Sequence, residues 1–345
     1  MPRPGYPDKV LEKRIRATTS PLLLQLYRAP FCPPSQQGGR LGTLRVEEGR
    51  LLDAGRAVAE AADAPPPAGS KAGIPAVDWW ITSHCNLACD FCYGPVPGKD
   101  PVECRPEILQ ALAASSARVV TFCGGEPLLV RKVGQYAANL RQCGKSTVLN
   151  TNGELLRKRL DQGFRLADFA LVGVSIEGST PDIHRAMRGQ KADLDEVIEA
   201  ARLVAKEPGV SLKLATVVSG VNRDDLPALA RTVRDLAPDI WRLYQYSRRG
   251  DQNSGQQRHW LADDEFRRLA EVAADLVAPV PTAPSTEAET EGCLIVDPAG
   301  NVLQPAGASY FRRGNCLDNP LDRIWAEITG RSAIINNKRW LSVLS

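Results

Sequence analysis

From Val77 onward, apolar runs of strand length alternate with segments whose apolar residues recur at helical spacing. The runs "VDWWITS", "RVVTFCGGEP", "STVLNTNG", "FALVGVSIEG", "SLKLATVVSGVN" and "IWRLYQYS" predict six strands, several closing on Gly or polar residues. Between them, "RPEILQALAASSA", "LVRKVGQYAANLRQC", "ELLRKRLDQGF", "DLDEVIEAARLVAKE" and "RDDLPALARTVRDLA" predict helices. "ADDEFRRLAEVAADLV" predicts one more, N-capped by an Asp near 263. Strands alternating with helices predict an α/β fold with a parallel sheet and right-handed crossovers. Six units are too few to close an eightfold barrel. The pattern therefore predicts a partial (β/α)6 barrel, open on one side, with its site where the strands end.

The flanks read differently. Residues 1–63 mix apolar and basic segments, and "LLDAGRAVAEAAD" has helical spacing. "APPPAGSKAGIP" (64–75) marks a boundary. A Pro/Ala/Ser/Thr/Glu stretch fills 278–292, and "DPAGN" (297–301) predicts a hairpin turn in the tail behind it. The expected division is an extension and linker over 1–76, the barrel over 77–278 and a small C-terminal subdomain over 279–345.

Composition narrows the function. The chain has 345 residues, 43% of them hydrophobic, enough for a large core. A net charge of +3 points to no nucleic-acid or membrane partner. The first residues lack the apolar stretch of a secretory signal, and no long apolar run predicts a membrane span, so a cytoplasmic location is expected. Nine cysteines, an odd number, then read as metal or catalytic residues rather than disulfides.

Three of them, Cys85, Cys89 and Cys92, lie within "HCNLACDFCYG" at a predicted strand end, spaced C-x3-C-x2-C. Structural zinc takes four ligands, and His84 is placed to be the fourth. Alternatively, three thiolates on a [4Fe–4S] cubane leave one iron open to a substrate or cofactor. "GGEP" (Gly124, Gly125, Glu126, Pro127) follows the second strand; its glycines allow close backbone approach, and its carboxylate can accept from an ammonium.

With these two motifs in this order, the chain resembles the radical S-adenosylmethionine (SAM) superfamily. The resemblance covers roughly residues 77–250. It implies that Cys85, Cys89 and Cys92 hold a [4Fe–4S] cluster whose fourth iron takes SAM, and that the GGEP segment holds the SAM amino group. It further implies SAM contacts at Thr151, Asn152, Ser175 and Glu177, and adenine contacts at Val218, Asn222, Gln245 and Tyr246. An external electron donor such as flavodoxin or ferredoxin is implied as partner.

The segment from Cys293 to Trp325 resembles the auxiliary-cluster extension (SPASM or twitch) of many such enzymes, in degenerate form. Ala306 stands where a cysteine is expected, and only Cys293 and Cys316 remain, too few for a second four-thiolate cluster. A redox-neutral reaction is therefore expected, with either thiol a candidate hydrogen donor in an epimerisation.

Residues 1–76 do not show the strand-rich pattern of a peptide-recognition domain, so a small sugar or nucleoside substrate is expected over a peptide. Paired arginines clamp carboxylates or phosphates. The candidates are Arg248 with Arg249 and Arg312 with Arg313 on predicted loops, and Arg185 with Arg188 on the loop predicted after the fourth strand. Glu177 and Lys213 are candidate acid/base residues. Overall size and composition resemble the radical SAM enzymes that process cytosylglucuronic acid in blasticidin S-type nucleoside pathways. That implies 1,2-diol dehydration or decarboxylation, with an aminoglycoside dehydrogenase or epimerase and a peptide maturase as alternatives.

Overall fold

The computed structural model describes residues 44–47, 50–53, 56–59, 73–94, 105–250, 253, 256–290 and 293–331. Its centre is one ten-stranded sheet. Strands β4 (Ala76–Thr82), β5 (Val119–Gly124), β6 (Ser146–Thr151), β7 (Leu171–Ser175), β8 (Ser211–Val218), β9 (Ile240–Gln245) and β10 (Thr282–Ser285) run parallel in chain order. On the other side of β4 the sheet continues through β11 (Ile295–Val296), parallel to it, and then antiparallel β12 (Asn301–Ala306) and β13 (Ser309–Asn315). The expected α/β fold with a mostly parallel sheet is present, and β10 and β13 are its unjoined edges.

The helices follow from local chemistry. Leu194–Lys206 is capped by Asp193, whose carboxylate accepts from Asp195 and Glu196 N–H. It buries Leu194, Val197, Ala200, Ala201 and Val204, the stripe its spacing predicts. Pro181–Arg188, where a loop was expected, is a helix instead: it begins with Pro at N1 and is capped by the Thr180 hydroxyl. Asp263–Val277 differs from expectation: its N-cap is Ala262, and Asp263 Oδ1 instead accepts from Gln245 Nε2 at 2.9 Å. The carboxylate is drawn away from its own helix to fasten the end of β9.

The two faces of the sheet are unlike. On β8, Leu212, Leu214, Thr216 and Val218 are buried toward the helices, while Lys213, Ala215 and Val217 on the inner face are only half-buried. Trp79 anchors the helix side, with Phe122 at 5.2 Å and Tyr136 at 5.9 Å between ring centres. The inner face carries a smaller apolar cluster of Ala76, Trp80, Val119, Val148, Leu171, Cys293 and Ile295. Most of these residues lie toward strand beginnings, so apolar packing occupies the floor and leaves the strand ends for polar groups.

The flanks correct three expectations. Arg50–Asp53 (β2) and Arg56–Ala59 (β3) are strands, forming an antiparallel sheet with Leu44–Glu47 (β1), so the helix expected over 51–63 is overturned. Two residues ending in Gly separate each pair of strands, a hairpin signal, and Gly55 costs a helix about 1 kcal/mol. Residues 1–76 therefore do contain strands. The 278–292 stretch contains β10, whose pairing with β9 was not visible in its Pro-rich composition.

The core makes a specific prediction. Trp79 is fully buried, yet its indole N–H has no hydrogen-bond partner among the described residues. Trp79→Ala is expected to cost about 3–5 kcal/mol. Trp79→Phe should stay within about 1.5 kcal/mol, because it also removes the unpaired donor. Urea unfolding of both variants checks this.

Candidate active site at the strand ends

Where β4 ends, the chain turns into the cysteine loop, and the GGEP segment is pressed against that turn. Gly125 N–H donates to Thr82 O at 2.7 Å and Glu126 N–H to His84 O at 2.6 Å. Gly124 has φ +123°, and a Cβ at Gly125 would lie 1.9 Å from His84 O. Both glycines are required by this approach.

Glu126 is buried, and its carboxylate joins two strand exits. Oε1 accepts from Leu128 N–H at 2.9 Å and Thr151 Oγ1 at 2.7 Å; Oε2 accepts from Asn152 N–H at 2.8 Å. Burial raises its pKa above the usual carboxylate range, and these donors oppose the shift. Asn152 then reaches the cysteine loop: its Nδ2 lies 3.9 Å from Cys85 Sγ and donates to Asn86 Oδ1 at 2.9 Å. Pro127 is buried and opens a short 3-10 turn.

The three thiols share one electrostatic neighbourhood. Leu87 N–H approaches Cys85 Sγ and Gly94 N–H approaches Cys92 Sγ, each at 3.4 Å. Burial pushes the Cys89 thiol up to about 12, and Arg188 opposes it. Arg188 is itself buried, donating from Nη2 to Glu177 Oε1 at 2.8 Å and lying over the Phe91 ring at 5.8 Å. Burial lowers its pKa, but the Glu177 carboxylate and the thiols outweigh that and hold it charged. Its Nε–H has no partner among the described residues.

These features fit a cluster carrying thiolates. Two sulfurs face N–H donors, a buried cation stands beside them with an unused donor, and no side chain grows from Gly94, Gly124 or Gly125. Among the described residues, no three His, Cys, Asp or Glu side chains are arranged to hold a single metal ion. A cubane binds each thiolate to a different iron, so its ligands need not meet at one point.

A second loop clasps the cysteine loop from the β9 side. Asn253 Nδ2 donates to Phe91 O at 3.0 Å, Gln256 Nε2 to Asp90 O, and Arg258 pairs with the Asp90 carboxylate. His259 Nε2 meets Asp90 Oδ1 at 3.0 Å, its Nδ1 meets Ser219 Oγ at 3.1 Å, and its ring stacks on Tyr246. This clasp was not foreseen, since its partners are far apart in sequence.

Other anticipated residues are placed as follows. Glu177 has both oxygens engaged, by Arg188 and by Val217 N–H at 2.7 Å, and is buried. Val218 packs in the helix-side core. Asn222 ties the exits of β7 and β8, donating to Glu177 O at 2.8 Å and Val217 O at 2.9 Å. Gln245 ties β9 to Leu261 and Glu287, and the Tyr246 hydroxyl donates to Asn253 O. Ser175 ends β7 on the half-buried face. Lys213 donates from Nζ to Asn150 Oδ1 at 2.7 Å.

Of the arginines, only Arg188 joins the thiols. Arg185 donates to Ala192 O, and exposed Arg248 pairs with Glu287. Arg249 is buried, bonding Gly307 O, Thr290 Oγ1 and Glu287 O, so it fastens the tail. Arg312 and Arg313 lie on strand β13 rather than a loop, and Arg313 donates to Gln304. The tail cysteines are separated: Cys293 packs in the inner cluster, Cys316 in the helix-side core.

Residues 80–233 match the Radical SAM superfamily. Domains of this family use a [4Fe–4S] cluster and SAM, the group the thiol site fits. The S-adenosylmethionine-dependent nucleotide dehydratase of Lacinutrix mariniflava is 28% identical over 255 residues, 69% of this chain and 52% of that protein. A dehydratase of the same name from Flammeovirga pacifica is 24% identical over 74% of this chain and 91% of its own. The GTP 3',8-cyclase of Aquifex aeolicus is 28% identical over 55% of this chain and 62% of its own. The chain spans about half the length of the first of these relatives. Among solved structures, Streptococcus suis SuiB bound to precursor peptide SuiA superposes with TM-score 0.60 at 15% identity, covering 79% of this chain and 71% of that one. Native anSMEcpe with bound AdoMet gives 0.57 at 18%, covering 72% and 79%. At these identities the likeness is one of fold. No described helix is long and apolar enough to cross a membrane.

Two outcomes follow. Gly125→Ala is expected to cost about 1–3 kcal/mol, because His84 O must move, and to lower iron retained after anaerobic reconstitution. Melting and iron assay check it. Burial and Arg258 hold His259 down at about 4, against an ordinary 6.5. A histidine so lowered adds stability at neutral pH that is lost as pH falls through this window, since the unfolded chain takes the proton first. The loss of stability between about pH 7 and 5 should be shallower in His259→Gln, read from urea midpoints.

Proposed function

We propose that this chain is a radical SAM lyase acting on a sugar nucleoside or nucleotide, and that it removes water from a 1,2-diol without net oxidation. The observation that carries the radical SAM part is the cysteine loop itself. It is held by the Glu126–Asn152 connection and flanked by buried, charged Arg188. The substrate class draws support from two relatives named nucleotide dehydratases.

In this reading Cys85, Cys89 and Cys92 hold the cluster, and the GGEP turn with Asn152, Ser175 and Arg188 surrounds bound SAM. When bound, cluster and SAM supply a 5'-deoxyadenosyl radical that takes hydrogen from a sugar carbon. The chain's own residues position and shield. Glu126 fixes the turn, and Glu177 holds Arg188 rather than moving a proton, since both its oxygens are occupied. The apolar floor of Trp80, Val148 and Leu171 closes the barrel interior from below. Cys293 and Cys316, packed in different cores, serve as structural residues and leave the tail without a second cluster.

The test is anaerobic turnover of the reconstituted chain with SAM, a strong reductant and cytosylglucuronic acid, in parallel with cytidine triphosphate. Deoxyadenosine together with loss of one water from either compound is the expected result, abolished in Cys85→Ala. Loss of carbon dioxide would replace dehydration by decarboxylation. Deoxyadenosine with both compounds unchanged would overturn the substrate class.

A further inference from the structure

One patch of the outer surface carries positive charge that no carboxylate balances. After the GGEP turn the chain runs through Leu129, Arg131 and Lys132 into the helix Val133–Gln142. The short helix Leu156–Asp161 is clipped onto this turn. Its Arg159 donates from Nη2 to Arg131 O at 2.9 Å, and the guanidinium lies 5.9 Å from the Phe164 ring centre. Four cations are thereby gathered at one place: Arg131, Lys132, Lys158 and Arg159. The first three are exposed.

Among the described residues, none of the four forms an ion pair. Asp161 and Asp168 follow in sequence but pair with none of them. Arg157, one position earlier on the same helix, shows the contrast, since Glu196 and Glu199 both meet it. Arg131 and Arg159 are close enough to feel each other: burial, and then the like charge of Arg131, push Arg159 below its usual range. Leu129, in the same turn, is 42% exposed. An exposed apolar side chain rimmed by unbalanced cations suits a transient contact with an acidic protein.

The patch adjoins the thiol site. Glu126, three residues before Leu129, accepts from Asn152 N–H at 2.8 Å, and Asn152 Nδ2 lies 3.9 Å from Cys85 Sγ. Cys85 is the exposed member of the three thiols, while Cys89 and Cys92 are half-buried. The clasp from the β9 side engages Asp90 and Phe91, beside Cys89 and Cys92 rather than Cys85. A cluster held here takes its electron from outside the chain, so the donor's redox group must come close to it.

We propose that Leu129, Arg131, Lys132, Lys158 and Arg159 form the face on which a small acidic electron-carrier protein docks to reduce the cluster. The carrier loses one electron and the cluster gains it, with no bond made or broken in that step. This rests on the cluster assignment in the functional reading above and not on the sugar substrate.

The test follows reduction of the reconstituted full chain by reduced flavodoxin, an acidic carrier. The fall in cluster absorbance is read by stopped flow with no substrate present. Photoreduced deazariboflavin, a small uncharged reductant that needs no docking face, is run in parallel. Arg131→Glu/Lys132→Glu should slow reduction by flavodoxin about 10- to 100-fold at low salt, within the range of electrostatic steering. Reduction by deazariboflavin, iron content and melting should be unchanged. Raising the salt to about 1 M should remove the difference, because the Debye length then falls to about 3 Å. Arg267→Glu/Arg268→Glu, an equal change of charge on the exposed side of Asp263–Val277, should have little effect. Calorimetric titration with oxidised flavodoxin should show the same loss of affinity. Equal flavodoxin rates in Arg131→Glu/Lys132→Glu, or an equal loss in the control pair, would overturn the proposal. So would failure of flavodoxin to reduce an unaltered chain that deazariboflavin does reduce. Phosphatidylserine vesicles that bind through these cations while flavodoxin reduction is unaffected would assign the face to a membrane instead. A chain that takes up no cluster would sink the cofactor assignment and this proposal with it; that outcome shows as missing iron and absorbance rather than as a changed rate.

Discussion

The buried carboxylate of Glu126 is the contact on which the site depends. Moving a carboxylate out of water costs several kcal/mol, and each charge-assisted hydrogen bond returns about 1.5–3. Leu128, Thr151 and Asn152 supply three such bonds, so the burial is offset only while all three are present. Those donors come from the turn after β5 and the end of β6. The same turn sits on the carbonyls of Thr82 and His84, at the end of β4. One carboxylate thereby fixes three neighbouring strand exits, and the cysteine loop leaves from the first of them.

The sheet prepares this arrangement by treating its faces differently. Its helix side is a continuous apolar core, where Trp79, Phe122 and Trp241 are fully buried. Its inner side is apolar at the floor and polar above, with Lys213, Asn150 and Arg242 on the wall. Parallel strands point their ends the same way, so side chains from successive strands gather at one mouth. There Arg188, charged and paired with Glu177, stands beside the thiols and opposes the upward shift that burial imposes on them.

The tail is part of this architecture rather than an appendage. β11 pairs parallel with β4 and covers an edge that would otherwise expose unpaired backbone. Through it, Tyr310 reaches the cysteine loop, its hydroxyl donating to Tyr93 O at 2.6 Å while its ring meets Trp80 edge-on. Arg249 fastens the opposite side of the tail to the loop after β9. The cysteine loop is thus gripped from three directions: by the Glu126 turn, by the Asp90–His259 clasp and by β13.

Local pattern alone revealed the six central strands, the helices between them except Pro181–Arg188, the C-x3-C-x2-C loop and the GGEP turn. Each is encoded by residues adjacent in the chain: alternating burial, helical spacing, and glycines where backbones must touch. What sequence did not reveal depends on partners distant along the chain. Six arginines looked alike, but only Arg188 is buried against the thiols; Arg185, on the same helix, donates to Ala192 O instead. Glu177 read as a candidate acid/base until Arg188 and Val217 were seen to occupy it, and only the packing showed that Cys293 and Cys316 lie in different cores of the sheet. Residue type determined which chemistry was available; tertiary pairing decided which groups meet, since charge, burial and reach are properties of the packed neighbourhood.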